Sequence, residues 1–219
     1  MAEFSKDTFA ICVGRSYGSG GLSFAHALSK RLGIPLYDKN ILDEAAKDSN
    51  IRRDLFEKAD EHGTFSMPMV YGADYGVAPP SLMVCANNLL SNENLFNIQS
   101  DVIRDLAAKH SAIFVGRAAD FILKDHPNLF SIFIAENEEL RITRIKKRQN
   151  LESDKEAHKE MERQDKTRRD YYNFYTAGRW GRAENYDLSL QLSYFGIDYA
   201  VDLVVDVLRH KGFPLREDL

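Results

Sequence analysis

The residues of this sequence best suited to chemistry are three glycines that precede a helix. Gly18, Gly20 and Gly21 fall in the segment GRSYGSGG (residues 14–21), directly after the apolar run of residues 9–13. Glycine allows the backbone to turn inward where a Cβ atom would collide. Successive N–H groups at the start of a helix then present partial positive charge to an anion. The segment predicts a phosphate-binding loop, and the alternative is a glycine-rich turn that binds nothing.

This loop departs from the standard phosphate-binding sequence G-x-x-x-x-G-K-[ST]. If residues 18–20 form the cradle, Gly21 stands where the lysine belongs, and Ser23 offers the magnesium-binding hydroxyl one residue late. The position of the first glycine falls on Arg15, which is the nearest charge that could replace the lysine. The alternative explanation for Arg15 is a surface arginine on a turn.

Arginines form a second set of candidate residues. The spacing of Arg141, Arg144 and Arg148 places them on one face of a helix. Four more cations crowd into seven residues around Asp165, namely Arg163, Lys166, Arg168 and Arg169. Arginine presents a fork of donors that fits phosphate oxygens. Nearly every residue from 149 to 170 is charged or polar, which predicts a solvent-exposed helix or one that packs only when a ligand is present.

Aromatic residues follow these cations between positions 171 and 186, a combination also found in proteins that bind single-stranded nucleic acid. The formal net charge of -4 and the lack of other basic stripes argue against that class. We therefore expect a small-molecule partner and no nucleic acid.

Length and composition narrow the class of protein further. A chain of 219 residues fits one domain, or one domain with a small lid. Its 44% hydrophobic and 28% charged residues are typical of a soluble globular protein. Two cysteines without metal-ligand spacing predict reduced core residues and a cytoplasmic location. No apolar run is long enough for a signal core or a membrane span, so we expect no membrane partner. The oligomeric state stays open.

The secondary structure that would position these residues alternates between strands and helices. Short apolar runs predict strands over residues 9–13, 35–37, 112–115, 129–134 and 187–192. Helical patterns cover residues 22–32, 40–47, 52–61, 94–110, 118–123 and 197–208. Alternation of this kind predicts a parallel sheet with helices on both faces. Residues 63–80, rich in glycine and proline, predict a lid or a packed surface loop.

Several motifs, in this order, resemble the cytidylate kinase-like branch of the nucleoside monophosphate kinases, which belong to the P-loop NTPases. They are GRSYGSGG, GIPLYDKNIL, FVGRAADFIL, FSIFIAENEELRITRI, the Asp165-x-x-Arg168 element with its YY-x-x-Y tail, and YDLSLQL. The resemblance covers almost the full length. It implies an α/β fold, a P-loop kinase-like three-layer α/β/α arrangement with a five-stranded parallel sheet and a helical lid. It also implies a single domain over 1–219, with a core over about 8–148 and 176–212 and a lid over about 149–175.

The resemblance further implies transfer of the γ-phosphoryl group of ATP, with Mg²⁺, to a nucleoside monophosphate or a similar phosphorylated acceptor. In such a reaction the protein mainly positions groups and neutralises charge. The implied nucleotide-binding residues are Gly18, Ser19, Gly20, Gly21, Leu22 and Ser23, with Ser23 as the Mg²⁺ ligand. The implied acceptor-binding residues are Asp38, Lys39 and Arg117. The implied catalytic residues are Arg15, Arg163, Asp165, Arg168 and Arg169.

Two departures from the family pattern leave alternatives open. Cytidylate kinases carry a P-loop lysine where this chain has Gly21, which leaves a nucleotide-binding regulatory protein with little or no catalysis as a second hypothesis. They carry an Asp-Ser-Gly element where this chain has residues 38–40, DKN, which leaves the acceptor open. A third hypothesis is a Rossmann dinucleotide-binding domain. It fits Gly18, Gly20 and Asp38, but Ser23 replaces the third glycine and the arginines have no role in hydride transfer.

Overall fold

A computed structural model of the chain describes residues 4–42 and 92–216. The strands are β1 (Ala10–Arg15), β2 (Leu36–Tyr37), β3 (Ala112–Val115), β4 (Leu129–Ala135) and β5 (Leu188–Gln191). The α-helices are α1 (Gly21–Leu32), α2 (Asn92–Lys109), α3 (Ala119–Ile122), α4 (Glu138–Gln149), α5 (Asp154–Thr176), α6 (Leu192–Phe195) and α7 (Ile197–His210). The predicted loop over 63–80 and helix over 52–61 lie outside the described residues, as does all but the start of the helix predicted over 40–47.

In the described part of the chain, five strands form one parallel sheet in the order β2-β3-β1-β4-β5, with helices on both sides. The predicted five-stranded parallel sheet in three layers is therefore confirmed. Strand β1 is central and pairs with β3 on one side and β4 on the other. Because the order of strands reverses around β1, a crevice opens beyond its carboxyl end, where ligands bind in sheets of this kind.

The main apolar core lies between one face of the sheet and helices α1 and α7. Ile11 and Val13 of β1 point to that face, because successive side chains of a strand alternate between the two faces. Leu28 of α1 and Val204 and Leu208 of α7 pack against them. This core fixes α1 against β1, and the glycine loop joins these two elements.

Helix α5 is docked, which differs from the expectation for the polar stretch that it occupies. Ala157 and Met161 are buried and pack with Ile145 of α4 and with Tyr17 of the glycine loop. These two positions are four residues apart and share one side of α5 with the buried Asp165. Ala157 and Met161 stand among charged and polar residues and give no clear periodic pattern, so the sequence does not reveal this stripe.

The chain divides into two compact units, one made of Met1–Lys39 with Ile103–Leu219 and the other of Asn40–Val102. The first unit holds the sheet, the glycine loop, α4 and α5. In the second unit the structure describes residues 40–42 and 92–102, which are helical. The division into a core and a lid over 149–175 stays a prediction. No helix in the described ranges combines the length and apolar character that a bilayer span needs.

Candidate active site

An arginine stands at the carboxyl end of the central strand, and two glycines make room for it. Arg15 is the last residue of β1. A Cβ atom on Gly21 would lie 2.6 Å from Arg15 Cβ and 3.1 Å from Arg15 Cγ, and one on Gly116 would overlap Arg15 Nη1. The side chain therefore leaves β1, passes the first residue of α1 and reaches the turn after β3. A Cβ atom at either glycine would overlap the Arg15 side chain in this position.

A cavity of about 190 Å³ opens at the carboxyl ends of β1 and β3. Four cations line it: Arg15 from β1, Lys39 after β2, Arg117 after β3 and Arg168 from α5. Asp120 in α3 is the one carboxylate in the described lining. Three of the cations meet because the carboxyl ends of parallel strands share one edge of the sheet.

The positive charges in this cavity repel one another. Burial, followed by the neighbouring charge of Arg168, lowers the pKa of Arg15 from its usual 12.5 to about 9. Arg117 acts in the same direction, and Asp38 acts in the opposite one. Burial is also the main cause that lowers the pKa of Arg168. Arginines remain protonated at neutral pH, so a bound anion would offset the repulsion.

The glycine loop connects this cavity to the start of α1. Gly18 and Gly20 have φ angles of 79° and 87°, a left-handed conformation that glycine adopts without steric cost. Ser19 Oγ donates to Ser16 O at 2.8 Å and accepts from Gly21 N at 3.3 Å, which braces the loop from within. The first N–H groups of a helix have no partner inside the helix. The positive end of α1 therefore lies beside Arg15.

Side chains of α4 hold the outer side of the loop. Arg144 Nη1 donates to the carbonyl oxygens of Gly18 at 3.2 Å and Ser19 at 3.0 Å. The same guanidinium pairs at 3.3 Å with Glu136, whose side chain is fully buried. Burial acts to raise the pKa of Glu136, but hydrogen bonds, first those from Ser193, and the charge of Arg144 outweigh it and lower that pKa. These contacts fix the shape of the loop.

Asp165, for which a catalytic role was predicted, faces the loop and lies outside the described lining of the cavity. Its Oδ1 atom accepts a hydrogen bond from Tyr17 N at 2.7 Å, and its Oδ2 atom pairs with the Arg141 guanidinium. Arg141 Nε also donates to Tyr17 O at 2.7 Å. The carboxylate is buried between these groups. The structure thus places it where it fixes the backbone of Tyr17.

The structure brings only some of the predicted site residues together. Those that line the cavity are Arg15, Lys39, Arg117 and Arg168, and those that form the loop beside it are Gly18, Ser19, Gly20 and Gly21. Leu22 and Ser23 are exposed in the first turn of α1, and Arg169 is exposed on α5. Arg163 is exposed and pairs with Glu160 at 2.7 Å. A helix turns about 100° per residue, so positions 163 and 169 lie away from the face that carries Arg168. The roles predicted for these residues stay predictions.

Sequence reasoning missed a polar and aromatic wall of the cavity, which Asp120, Tyr172, Trp180 and Tyr186 line. Tyr172 Oη donates to Asp120 Oδ2 at 2.7 Å. Burial is the main cause that raises the pKa of Asp120, of Tyr172 and of Tyr186. This wall can exchange hydrogen bonds with amino or hydroxyl groups of a ligand. The available signal was the position of Asp120 shortly after a predicted strand, close behind Arg117.

Comparisons with known proteins concern the family and the fold of the chain. The model of the cytidylate kinase-like family matches residues 10–194. No curated protein matches the sequence. Among solved structures, an uncharacterized protein from Eubacterium ventriosum is 28% identical, with a TM-score of 0.69 over 92% of this chain and 99% of that one. A shikimate kinase from Bacteroides thetaiotaomicron is 12% identical, with a TM-score of 0.49 over 92% of this chain and 98% of its own. A gluconokinase from Sinorhizobium meliloti is 13% identical, with a TM-score of 0.46 over 94% and 99%.

Proposed function

Because the chain belongs to the cytidylate kinase-like family, we propose that it is an ATP-dependent phosphotransferase. It moves the γ-phosphoryl group of ATP to a nucleoside monophosphate or a similar phosphorylated acceptor. The observation that carries this proposal is the convergence of four cations on one cavity beside the glycine loop. Phosphoryl transfer needs such a cluster because several phosphate groups, each negatively charged, meet at the reacting centre.

The cluster of cations costs folding free energy, and this cost supports a functional explanation. Burial of the Arg15 charge, and after it the neighbouring charges of Arg168 and Arg117, destabilise the fold, as the lowered pKa of Arg15 indicates. A glycine-rich turn that bound nothing would not require Arg15, Arg117 and Arg168 to face one another. The same cations would bind a phosphate ligand strongly because its charge removes their repulsion.

Each part of the site has a distinct task in this reaction. The backbone of residues 18–21 and the N-terminus of α1 would hold the phosphates of ATP. Lys39 and Arg117, which follow β2 and β3, would bind the phosphate of the acceptor, with Asp38 beside them. Arg168 would contact the transferring group from α5. ATP with Mg²⁺ supplies the phosphoryl group and part of the neutralising charge.

Arg15 takes the place of the P-loop lysine in this proposal. Its side chain occupies the space that a side chain at position 21 would need, so the chain cannot accommodate a side chain at both positions. Its guanidinium lies in the cavity with Arg117 and Arg168. A cation therefore reaches the candidate phosphate site from β1 and not from α1. The absence of a lysine at position 21 is thus compatible with catalysis.

The residues present also fit a nucleotide-bound Mg²⁺ ion. Among the described residues, no group of three His, Cys, Asp or Glu side chains is arranged to hold a metal. Mg²⁺ in kinase sites is bound largely by substrate phosphates and water with few protein ligands. Ser23, in the first turn of α1, is the protein ligand that we propose.

The test is an acceptor screen. Purified protein is incubated with ATP, Mg²⁺ and each nucleoside monophosphate or a small phosphorylated metabolite, and ADP formation is measured. We expect ADP to form with one class of acceptor. Gly20→Ala should abolish this activity, because its φ of 87° is one that residues with a Cβ rarely adopt, so that an alanine would distort the loop.

Gly212→Ala is the matched control, because Gly212 also has a positive φ, of 76°, and no atom near its Cβ position. That variant suffers similar backbone strain far along the chain and should keep its activity. Binding of ATP without ADP formation from any acceptor would favour the regulatory hypothesis. Failure to bind ATP at all would contradict both.

A further inference from the structure

Tyr17 connects the glycine loop to two helices through every part of the residue. Its N–H donates to Asp165 of α5, and its carbonyl accepts from Arg141 of α4. Its phenol oxygen accepts a hydrogen bond from Gln149 Nε2 at 2.7 Å. The side chain is only 9% exposed and packs against Met161. Tyr17 therefore joins the loop to α5 through both its backbone and its side chain.

The ring of Tyr17 lies close to two guanidinium groups. The Cζ atom of Arg148 is 4.7 Å from the ring centroid, and that of Arg168 is 5.2 Å away. A guanidinium within about 6 Å of an aromatic ring is attracted by the negative charge on the ring face. Arg168 Nη1 also donates to Arg15 O at 3.0 Å. Arg168 is thus held by the ring on one side and by the end of β1 on the other.

Arg168 lines the candidate phosphate cavity, whereas Tyr17 does not. Tyr17 also binds Asp165, which lies about one turn before Arg168 on the same helix. One loop residue therefore fixes both the helix that carries this arginine and the direction of its side chain. We propose that Tyr17 is a positioning residue that holds Arg168 over the cavity and so couples α5 to the glycine loop. This inference rests on the proposed function only where it predicts kinetics.

A purely structural role would require less than a tyrosine. The contacts with Ile145, Ala157 and Met161 need apolar volume, which a leucine supplies. The attraction of Arg168 needs an aromatic face, which only an aromatic residue supplies. Replacement of Tyr17 by Leu or by Phe therefore separates the two roles. Tyr17→Phe keeps the ring and loses only the hydrogen bond from Gln149.

The first experiment measures kcat and KM for ATP in the parent, Tyr17→Phe, Tyr17→Leu, Arg168→Ala and the double variant Tyr17→Leu/Arg168→Ala. We expect Tyr17→Leu to lower kcat by about five- to thirtyfold, the range of a partly desolvated cation–π contact, with little change in KM. Tyr17→Phe should stay close to the parent. In the Arg168→Ala background, Tyr17→Leu should cause no further loss, because the group that it positions is already absent.

The second experiment does not depend on activity. The Nε–H signal of Arg168 in an NMR spectrum, identified by its loss in Arg168→Ala, should be displaced by the nearby ring in the parent and in Tyr17→Phe. In Tyr17→Leu the displacement that the ring causes should disappear. If the parent shows this pattern but transfers no phosphoryl group, the proposed function fails and the positioning role stands.

Two results would overturn the positioning role. One is an unchanged Arg168 signal in Tyr17→Leu, and the other is an equal loss of kcat on adding Tyr17→Leu to the parent and to Arg168→Ala. Urea unfolding checks that each variant is folded. If Tyr17→Leu does not fold, Tyr17→Met replaces it, because an unbranched side chain fills irregular space more readily.

Discussion

Exchanging the residues at positions 15 and 21 tests whether Arg15 occupies the place of a P-loop lysine. The double substitution Arg15→Gly/Gly21→Lys changes residues 15–21 from RSYGSGG to GSYGSGK, which fits the pattern G-x-x-x-x-G-K. Gly21 is the first residue of α1 and has no left-handed φ angle. Its backbone conformation therefore accepts a lysine, and only the neighbouring side chains oppose one.

The structure indicates the steric cost of a side chain at position 21. In the parent, a Cβ at position 21 would lie 2.6 Å from Arg15 Cβ and 3.2 Å from Ile134 Cβ. Both atoms are attached directly to the sheet backbone and cannot swing aside as a side-chain tip can. Overpacking of this kind costs about 1–3 kcal/mol. Arg15→Gly removes the shorter contact completely, so Gly21→Lys should then cost less than about 1 kcal/mol.

Urea unfolding of the parent, the two single variants and the double variant forms a double-mutant cycle. We expect a favourable coupling free energy of about 1–2 kcal/mol between the two substitutions. The kcat should depend on whether position 15 or position 21 supplies a cation. Arg15→Gly should lower kcat by about 10³–10⁵, the range for charge-stabilising arginines in phosphoryl transfer, and the double variant should recover part of that loss.

Gly14→Ala provides the control for the stability cycle. Its Cβ would lie 2.9 Å from Phe133 Cδ2, on the face of β1 opposite to the Arg15 side chain, because successive side chains of a strand alternate between the two faces. Its cost should therefore be equal in the parent and in Arg15→Gly. An equal cost of Gly21→Lys in both backgrounds would refute the steric argument. Normal turnover of Arg15→Gly would refute the assignment of Arg15 as the replacing cation.

Three further predictions concern the charges around the cavity. Arg168→Ala should lower kcat strongly and nucleotide affinity weakly, whereas Arg117→Ala should chiefly raise KM for the acceptor. Steady-state kinetics with both substrates measures these changes, and a normal kcat of Arg168→Ala or a normal acceptor KM of Arg117→Ala would contradict the assigned role. Arg15→Met should stabilise the ligand-free protein, because burial and neighbouring cations lower the pKa of Arg15 to about 9. The destabilisation by the Arg15 charge is fully present below pH 9 and is relieved as the pH rises toward 12.5, because the folded protein then loses the proton before the unfolded chain does. The difference in the free energy of unfolding between Arg15→Met and the parent, measured with urea, should therefore shrink between about pH 8 and pH 10.5. A constant difference would contradict this. Glu136→Ala should cost about 1–3 kcal/mol in urea unfolding, because it leaves the N–H and the hydroxyl of Ser193 without the buried carboxylate that accepts from them. It should also weaken ATP binding in calorimetry, because Arg144 loses its partner. Unchanged ATP binding would mean that this pair does not hold the loop.

The sheet could be predicted because its signals are local. Strand β3 has the predicted bounds, residues 112–115, since four apolar residues buried on both faces end at a glycine. Strand β1 extends to Arg15, two residues beyond the predicted run, because its pairing with β4 continues until Arg15 lies opposite Ile134. That extension depends on a partner strand more than a hundred residues away. No pattern within residues 9–15 could reveal it.

The residues of the candidate site likewise differ in whether their positions have a local signal in the sequence. The family resemblance named Lys39 and Arg117, and each follows a predicted strand. Because strand ends converge in a parallel sheet, both line the cavity. The face of α5 that meets the cavity could not be predicted, since it depends on the packing of Met161 and Asp165 against Tyr17. Consequently the sequence grouped Arg163 with Arg168, whereas the structure separates them.

The two arginines at the centre of the site differ in what holds them, and this difference allows the kinase and regulatory hypotheses to be separated. Arg15 is fixed by β1 and by the glycines at positions 21 and 116, so changes in α5 should leave it in place. Arg168 depends on Tyr17 and on the docking of α5. A protein that only binds nucleotide needs Arg15 and tolerates the loss of Arg168. A phosphotransferase needs both, because the charge that develops during transfer must be stabilised in the transition state more than in the bound ground state. Tyr17→Leu should therefore spare ATP binding and impair turnover, whereas Arg15→Met should impair both.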